Sequence, residues 1–107
     1  MTDFVALVTT HINEPRRATL IQTLAHVLSL LPTAWTTAAF DVVVAPDRIA
    51  AFWPDSRLIV TYHTRDPADD QQPPHYRVRN MAAWTWPQYD TPEEVADYIR
   101  SLPAPAQ

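Results

Sequence analysis

Apolar residues first recur at three- and four-residue spacing, with Leu20, Ile21, Leu24, Val27, Leu28 and Leu31 on one face of a helix from Asn13 to Leu31. Asn13 can cap its start, Pro15 fits the first turn and Pro32 stops it. The preceding Asp3 to Ile12 reads two ways. Phe4, Leu7, Val8 and Ile12 share a helical face, whereas two valines, two threonines and an isoleucine suit a strand. Helix is the preferred reading there, and a strand would open the fold as β-α-β-β.

From Phe40 the period shortens to two, in β-prone runs over Phe40 to Ala45, Arg48 to Trp53, Arg57 to Thr64 and Tyr76 to Trp86. Their punctuation predicts an antiparallel meander. Ala45-Pro46-Asp47-Arg48 and Trp53-Pro54-Asp55-Ser56 place proline where a type I turn accepts it, so these hairpins should need no positive φ. Arg65 to His75 is polar and proline-broken and reads as a long loop. A final helix starts at Thr91-Pro92-Glu93-Glu94, with Thr91 as cap, Pro92 at the first helical position and Glu94 completing a capping box. Val95, Tyr98, Ile99 and Leu102 form its apolar stripe.

The expected fold is therefore α+β: N-terminal helical segment(s), a three- to four-stranded antiparallel meander, and a C-terminal helix packed on one sheet face. Residues 1–102 should form one globular domain, with 103–107 a frayed Pro/Ala-rich tail. A chain of this size buries roughly 65% of its unfolded surface, enough for one core.

Alternation also divides the sheet faces. Tyr76, Val78, Asn80, Ala82, Trp84 and Trp86 fall on one side of their strand, opposite Arg77, Arg79 and Met81; Leu58, Val60 and Tyr62 oppose Arg57, Ile59, Thr61 and His63. If the more apolar side is buried, the outer face gathers Arg57, Ile59, His63, Arg77, Arg79 and Met81, joined by Arg48 and Phe52 from the neighbouring strand. Mixed guanidinium and apolar groups on a flat surface suit an acidic protein patch or a nucleic-acid backbone. The competing account is a solvated sheet face whose arginines pair across strands or with Asp66, Asp69 and Asp70.

Two secondary surfaces stand out. Arg16 and Arg17 occupy the first turn of the long helix, where the macrodipole disfavours each cation by roughly 0.3–1 kcal/mol. A partner would explain them, as would neutralisation by Glu14 or Asp3. Trp84 and Trp86 offer a stacking platform, but the alternation favours the core for them; if their strand ends early, they become an exposed protein-binding anchor.

Composition removes whole classes of chemistry. The 107 residues contain no glycine, against the usual ~7%, and no lysine or cysteine. Glycine-built phosphate loops, lysine Schiff bases, thiol nucleophiles and thiolate metal sites are thereby absent. All basic residues being arginine fits a G+C-rich genome, which makes a bacterium or one of its phages or mobile elements the expected source. His63, His75, Asp66, Asp69 and Asp70 include metal-ligand types without the spacing of a closed site, so neither metal nor cofactor is expected. No serine sits in a nucleophile motif, and no enzymatic activity is expected. A net charge of −4 disfavours broad nucleic-acid binding, and no apolar run suits a signal peptide or membrane span. The expected protein is a cytoplasmic, non-catalytic regulator, inhibitor or adaptor, monomeric or homodimeric, that binds an acidic protein partner through its arginine-rich face. Sequence-tolerant nucleic-acid binding by the same face and small-molecule binding between sheet and helix are the alternatives.

Overall fold

The computed structural model describes residues 15–45, 47–64 and 74–105. Helix α1 spans Pro15–Ser29 and the short α2 spans Thr33–Thr37; strands β1 Asp41–Val44, β2 Arg48–Trp53, β3 Leu58–His63, β4 His75–Asn80 and β5 Gln88–Tyr89 follow, then helix α3 over Pro92–Arg100. The strands form one antiparallel sheet in chain order. The α+β fold stands, with five strands in place of three to four. Asp3 to Ile12, and the proposed Asn13 cap, lie outside the described residues.

The fifth strand appears because the Tyr76–Trp86 run breaks. Asn80 accepts a bond from Ala83 N through its side-chain oxygen at 3.2 Å, and the chain reverses over Met81 to Trp84. Returning, it pairs Asn80 with Thr85 through reciprocal bonds of 2.8 and 3.0 Å, and Pro87 accepts from Val78 N at 2.9 Å. Pro87 has no N–H to donate, and it sits beside the outermost strand of the sheet, where none is needed.

The core lies on one side of the sheet. Leu20, Ile21, Leu24, Val27 and Leu28 of α1, with Val95, Ala96 and Ile99 of α3, are buried with Ile49, Ala51 and Trp53 of β2, Leu58 and Val60 of β3 and Val78 of β4. Burying each large aliphatic side chain contributes roughly 1.5–3 kcal/mol. Trp35 on α2 and Trp53 are both core residues: the Trp53 indole N–H donates to the Trp35 carbonyl at 2.9 Å, and their rings meet edge-on at 5.7 Å.

The end of α1 and the start of α3 are closed by a tightened turn and by a side-chain cap. At the end of α1, Leu30 N and Leu31 N bond carbonyls three residues back before Pro32. Arg100 of α3 donates to the Leu30 carbonyl at 2.7 Å, placing a cation at the negative end of α1. Thr91 caps α3, accepting from Glu94 N at 3.2 Å, and its hydroxyl donates to the Glu94 carboxylate at 3.0 Å. Beyond α3, Pro103 and Ala104 are exposed and Pro105 is buried.

The turns depart from the glycine-free scheme. Arg57 adopts φ 52° and Trp84 φ 55°, left-handed positions that favour glycine. The β2–β3 connection therefore does require positive φ. Proline starts that turn, with Arg57 N bonding the Pro54 carbonyl at 3.2 Å, but returning the chain into β3 needs a left-handed residue, and Arg57 supplies it.

Candidate functional site

Strand register builds the outer face in three cross-strand rows. Arg48 lies opposite His63 and His63 opposite His75; Val43, Ala50, Thr61 and Arg77 form the second row; Asp41, Phe52, Ile59 and Arg79 form the third. Helices α1 and α3 bury their stripes on the opposite face, and among the described residues no helix covers these rows.

The middle row is low where its neighbours are tall. Ala50 and Thr61, directly paired, carry short side chains, while Arg48 and Phe52 flank Ala50 along β2, and Ile59 and His63 flank Thr61 along β3. The result is an open groove of about 340 Å³, bounded by Val43, Arg48, Ile59, His63, Arg77 and Arg79 over the Ala45, Ala50 and Thr61 floor. Arg48 and Arg79 are exposed, and Arg77 and His63 are half-buried. Among the described residues, neither Arg48 nor Arg79 makes an ion pair or a side-chain hydrogen bond. Asp66, Asp69 and Asp70, named as competing carboxylates, lie outside the described residues.

Of the face read from alternation, Arg48, Ile59, His63, Arg77 and Arg79 meet at this groove. Phe52 shares the face, paired with Ile59, without lining the groove. Arg57 and Met81 sit in turns at the strand ends and do not line the groove; Met81 N bonds the Arg57 carbonyl at 3.0 Å. Val43, Ala45 and Ala50 were not visible as site residues in the sequence. Small side chains signal nothing until the register sets them between long ones.

His75 points along the outward row yet is only 1% exposed, with its ring stacked on His63 at 5.0 Å and an interplanar angle of 12°. Among the described residues no three histidines, aspartates or glutamates gather as metal ligands. Ser29 and Ser101 both donate to carbonyls three residues back, of His26 and Tyr98.

The tryptophan pair overturns its expected burial. Trp84 and Trp86 are 72% and 49% exposed, with ring centroids 5.2 Å apart, because the strand ends at Asn80 and the turn carries them off the core face. Below them, Tyr98 OH accepts from Asn80 Nδ2 and bonds Thr85 Oγ1, each at 3.1 Å. A second hollow of about 400 Å³ lies between Ala82, Ala83, Ser56, Trp35 and the Leu102 to Pro105 tail. Arg17 is half-buried in α1, on the helical layer away from the groove, and the side chain of Arg16 lies outside the described residues.

On the inner face Tyr76 packs its ring 4.8 Å from Tyr62, and burial, then Tyr62 and Glu93, holds its phenol above the ordinary tyrosine range. Tyr89, 5.9 Å from Tyr98, is raised in the same order by burial, Tyr98 and Glu94. Among the described residues no helix is long and apolar enough to cross a membrane. No family model, curated protein or solved structure matches this chain.

Proposed function

We propose that this chain is a non-catalytic interaction module that docks an acidic protein partner in the outer groove of its sheet. The observation carrying this reading is the convergence of Arg48, Arg77 and Arg79 around a small-residue floor with Val43 and Ile59 at the rim. Guanidinium forks grip carboxylates with charge-assisted bonds, and the apolar rim supplies area that a purely ionic contact would lack. Val43, 66% exposed, is apolar surface that a partner would remove from water.

Charge separates this reading from nucleic-acid binding. The groove is a local positive patch on a chain of net charge −4, with Asp41 at the end of its third row. The net negative charge of the whole chain opposes association with an extended polyanion, whereas a protein partner need present acid only at the groove. A regulator, inhibitor or adaptor acts in this way, by stoichiometric occupation.

Two ligands test the proposal: an alternating glutamate–leucine peptide, and single- and double-stranded oligonucleotides in a low-salt mobility-shift assay. Peptide binding with modest salt dependence and no oligonucleotide complex is the expected result. Oligonucleotide complexes that weaken steeply with salt, without peptide binding, would replace the acidic-partner reading by the nucleic-acid one.

A further inference from the structure

The groove has a shape as well as a charge, and the shape limits what enters it. Its volume of about 340 Å³ lies at the lower end of the roughly 300–1,000 Å³ of small-molecule clefts. Ala50 ends at its β-carbon, and the opposite Thr61 adds a hydroxyl and a methyl only one atom further out. Arg77 stands directly across from Thr61, and Arg79 lies one residue pair further along β4. A ligand group reaching the floor thus comes among the side chains of Thr61, Arg77 and Arg79, which carry a hydroxyl and guanidinium groups. That donor set matches a carboxylate, which accepts through two oxygens and about four lone-pair directions.

Resting on the acidic-partner reading, we propose that the hollow above Ala50 and Thr61 seats one carboxylate side chain of that partner as its anchor. In this arrangement Arg77 and Arg79 hold the carboxylate laterally, Thr61 donates from the floor, and Arg48 closes the opposite end. Val43 and Ile59 line the sides that the methylenes of a glutamate would touch. Ala50 determines specificity: the seat exists because no larger side chain fills it. A phosphate offers three equivalent oxygens and no methylenes, so it leaves the apolar walls without a contact. The remaining acid on the partner contributes long-range attraction, while the anchor fixes register.

The experiment is a titration of the isotope-labelled full chain, followed by backbone amide shifts, with three probes: the α-amide of N-acetylglutamate, the alternating glutamate–leucine peptide, and inorganic phosphate. With the glutamate probe, saturable shifts centred on Ala50, Thr61, Arg77 and Arg79 are expected. Ala50→Leu leaves charge unchanged on a solvent-facing position and should weaken that binding at least about tenfold, as should Arg79→Ala, the loss of one charged hydrogen-bond partner. Thr61→Val, which keeps a β-branched residue in the strand, should weaken it about fivefold and stands in if Ala50→Leu fails to fold. Glutamate binding unchanged in Ala50→Leu or Thr61→Val, or shifts spread evenly to Arg57 and Arg100, would overturn the seat. So would phosphate saturating the same amides at lower concentration than the glutamate probe. Loss of peptide binding in Arg77→Ala/Arg79→Ala, with peptide binding kept in Ala50→Leu, removes the seat and leaves the acidic partner. Failure of both glutamate and peptide to shift any groove amide removes both.

Discussion

Arg57 and Trp84 carry the conformational cost of left-handed positions filled without glycine. A left-handed residue with a Cβ costs roughly 1–2 kcal/mol, and glycine recovers that less its greater freedom in the unfolded chain. Arg57→Gly, at φ 52°, should therefore raise unfolding free energy by on the order of 0.5–1 kcal/mol in urea denaturation while leaving groove binding unchanged. A loss of stability would show that the arginine side chain contributes more than its backbone costs. Tyr76 makes a pH prediction of definite sign. Because burial raises its folded-state pKa, the native state holds the proton more tightly than the unfolded chain, whose phenol titrates near about 10. The Tyr76 contribution to stability should be constant up to about pH 10 and be lost as pH rises through the raised value, so that the alkaline fall is less steep in Tyr76→Phe. Urea midpoints measured across that alkaline range check this; equal slopes in both proteins would remove Tyr76 as the cause.

Among the elements, α3 shows how much a local signal can carry. Thr91→Ala deletes the hydroxyl that accepts from Glu94 N and should cost about 1 kcal/mol, measured by thermal or denaturant unfolding. That cap, the apolar stripe of α1 and the limits of β2 were legible in the sequence because each rests on residues adjacent along the chain. The hidden parts depend on contacts the pattern does not contain. Alternation falters at Asn80 and the apolar run Met81 to Trp84, but it does not place the turn that Asn80 forms with Ala83. Thr33–Thr37 is too short for a helical period to develop, and only its Trp35, buried against Trp53, ties it to the core. The arginine face was readable because burying Val60 and Val78 forces Ile59, Arg77 and Arg79 outward. Its floor was not, since Ala50 gains meaning only opposite Thr61.

In the whole molecule, the two faces of the sheet differ in what they bury. One face buries the helices and supplies stability; the other exposes Arg48, Arg79 and Val43. Changes at the exposed outer-face positions Arg48 and Arg79 should therefore alter binding with little effect on folding, since exposed substitutions commonly stay within about 0.5 kcal/mol. The most direct measurement is calorimetric titration of the alternating glutamate–leucine peptide into wild type, Arg77→Ala/Arg79→Ala and an Arg17→Ala control. At least a tenfold loss of affinity is expected in the double variant, the size of about 1.4 kcal/mol, with the control unchanged and all three equally folded. Equal affinity in wild type and double variant, or an equal loss in the control, would contradict it.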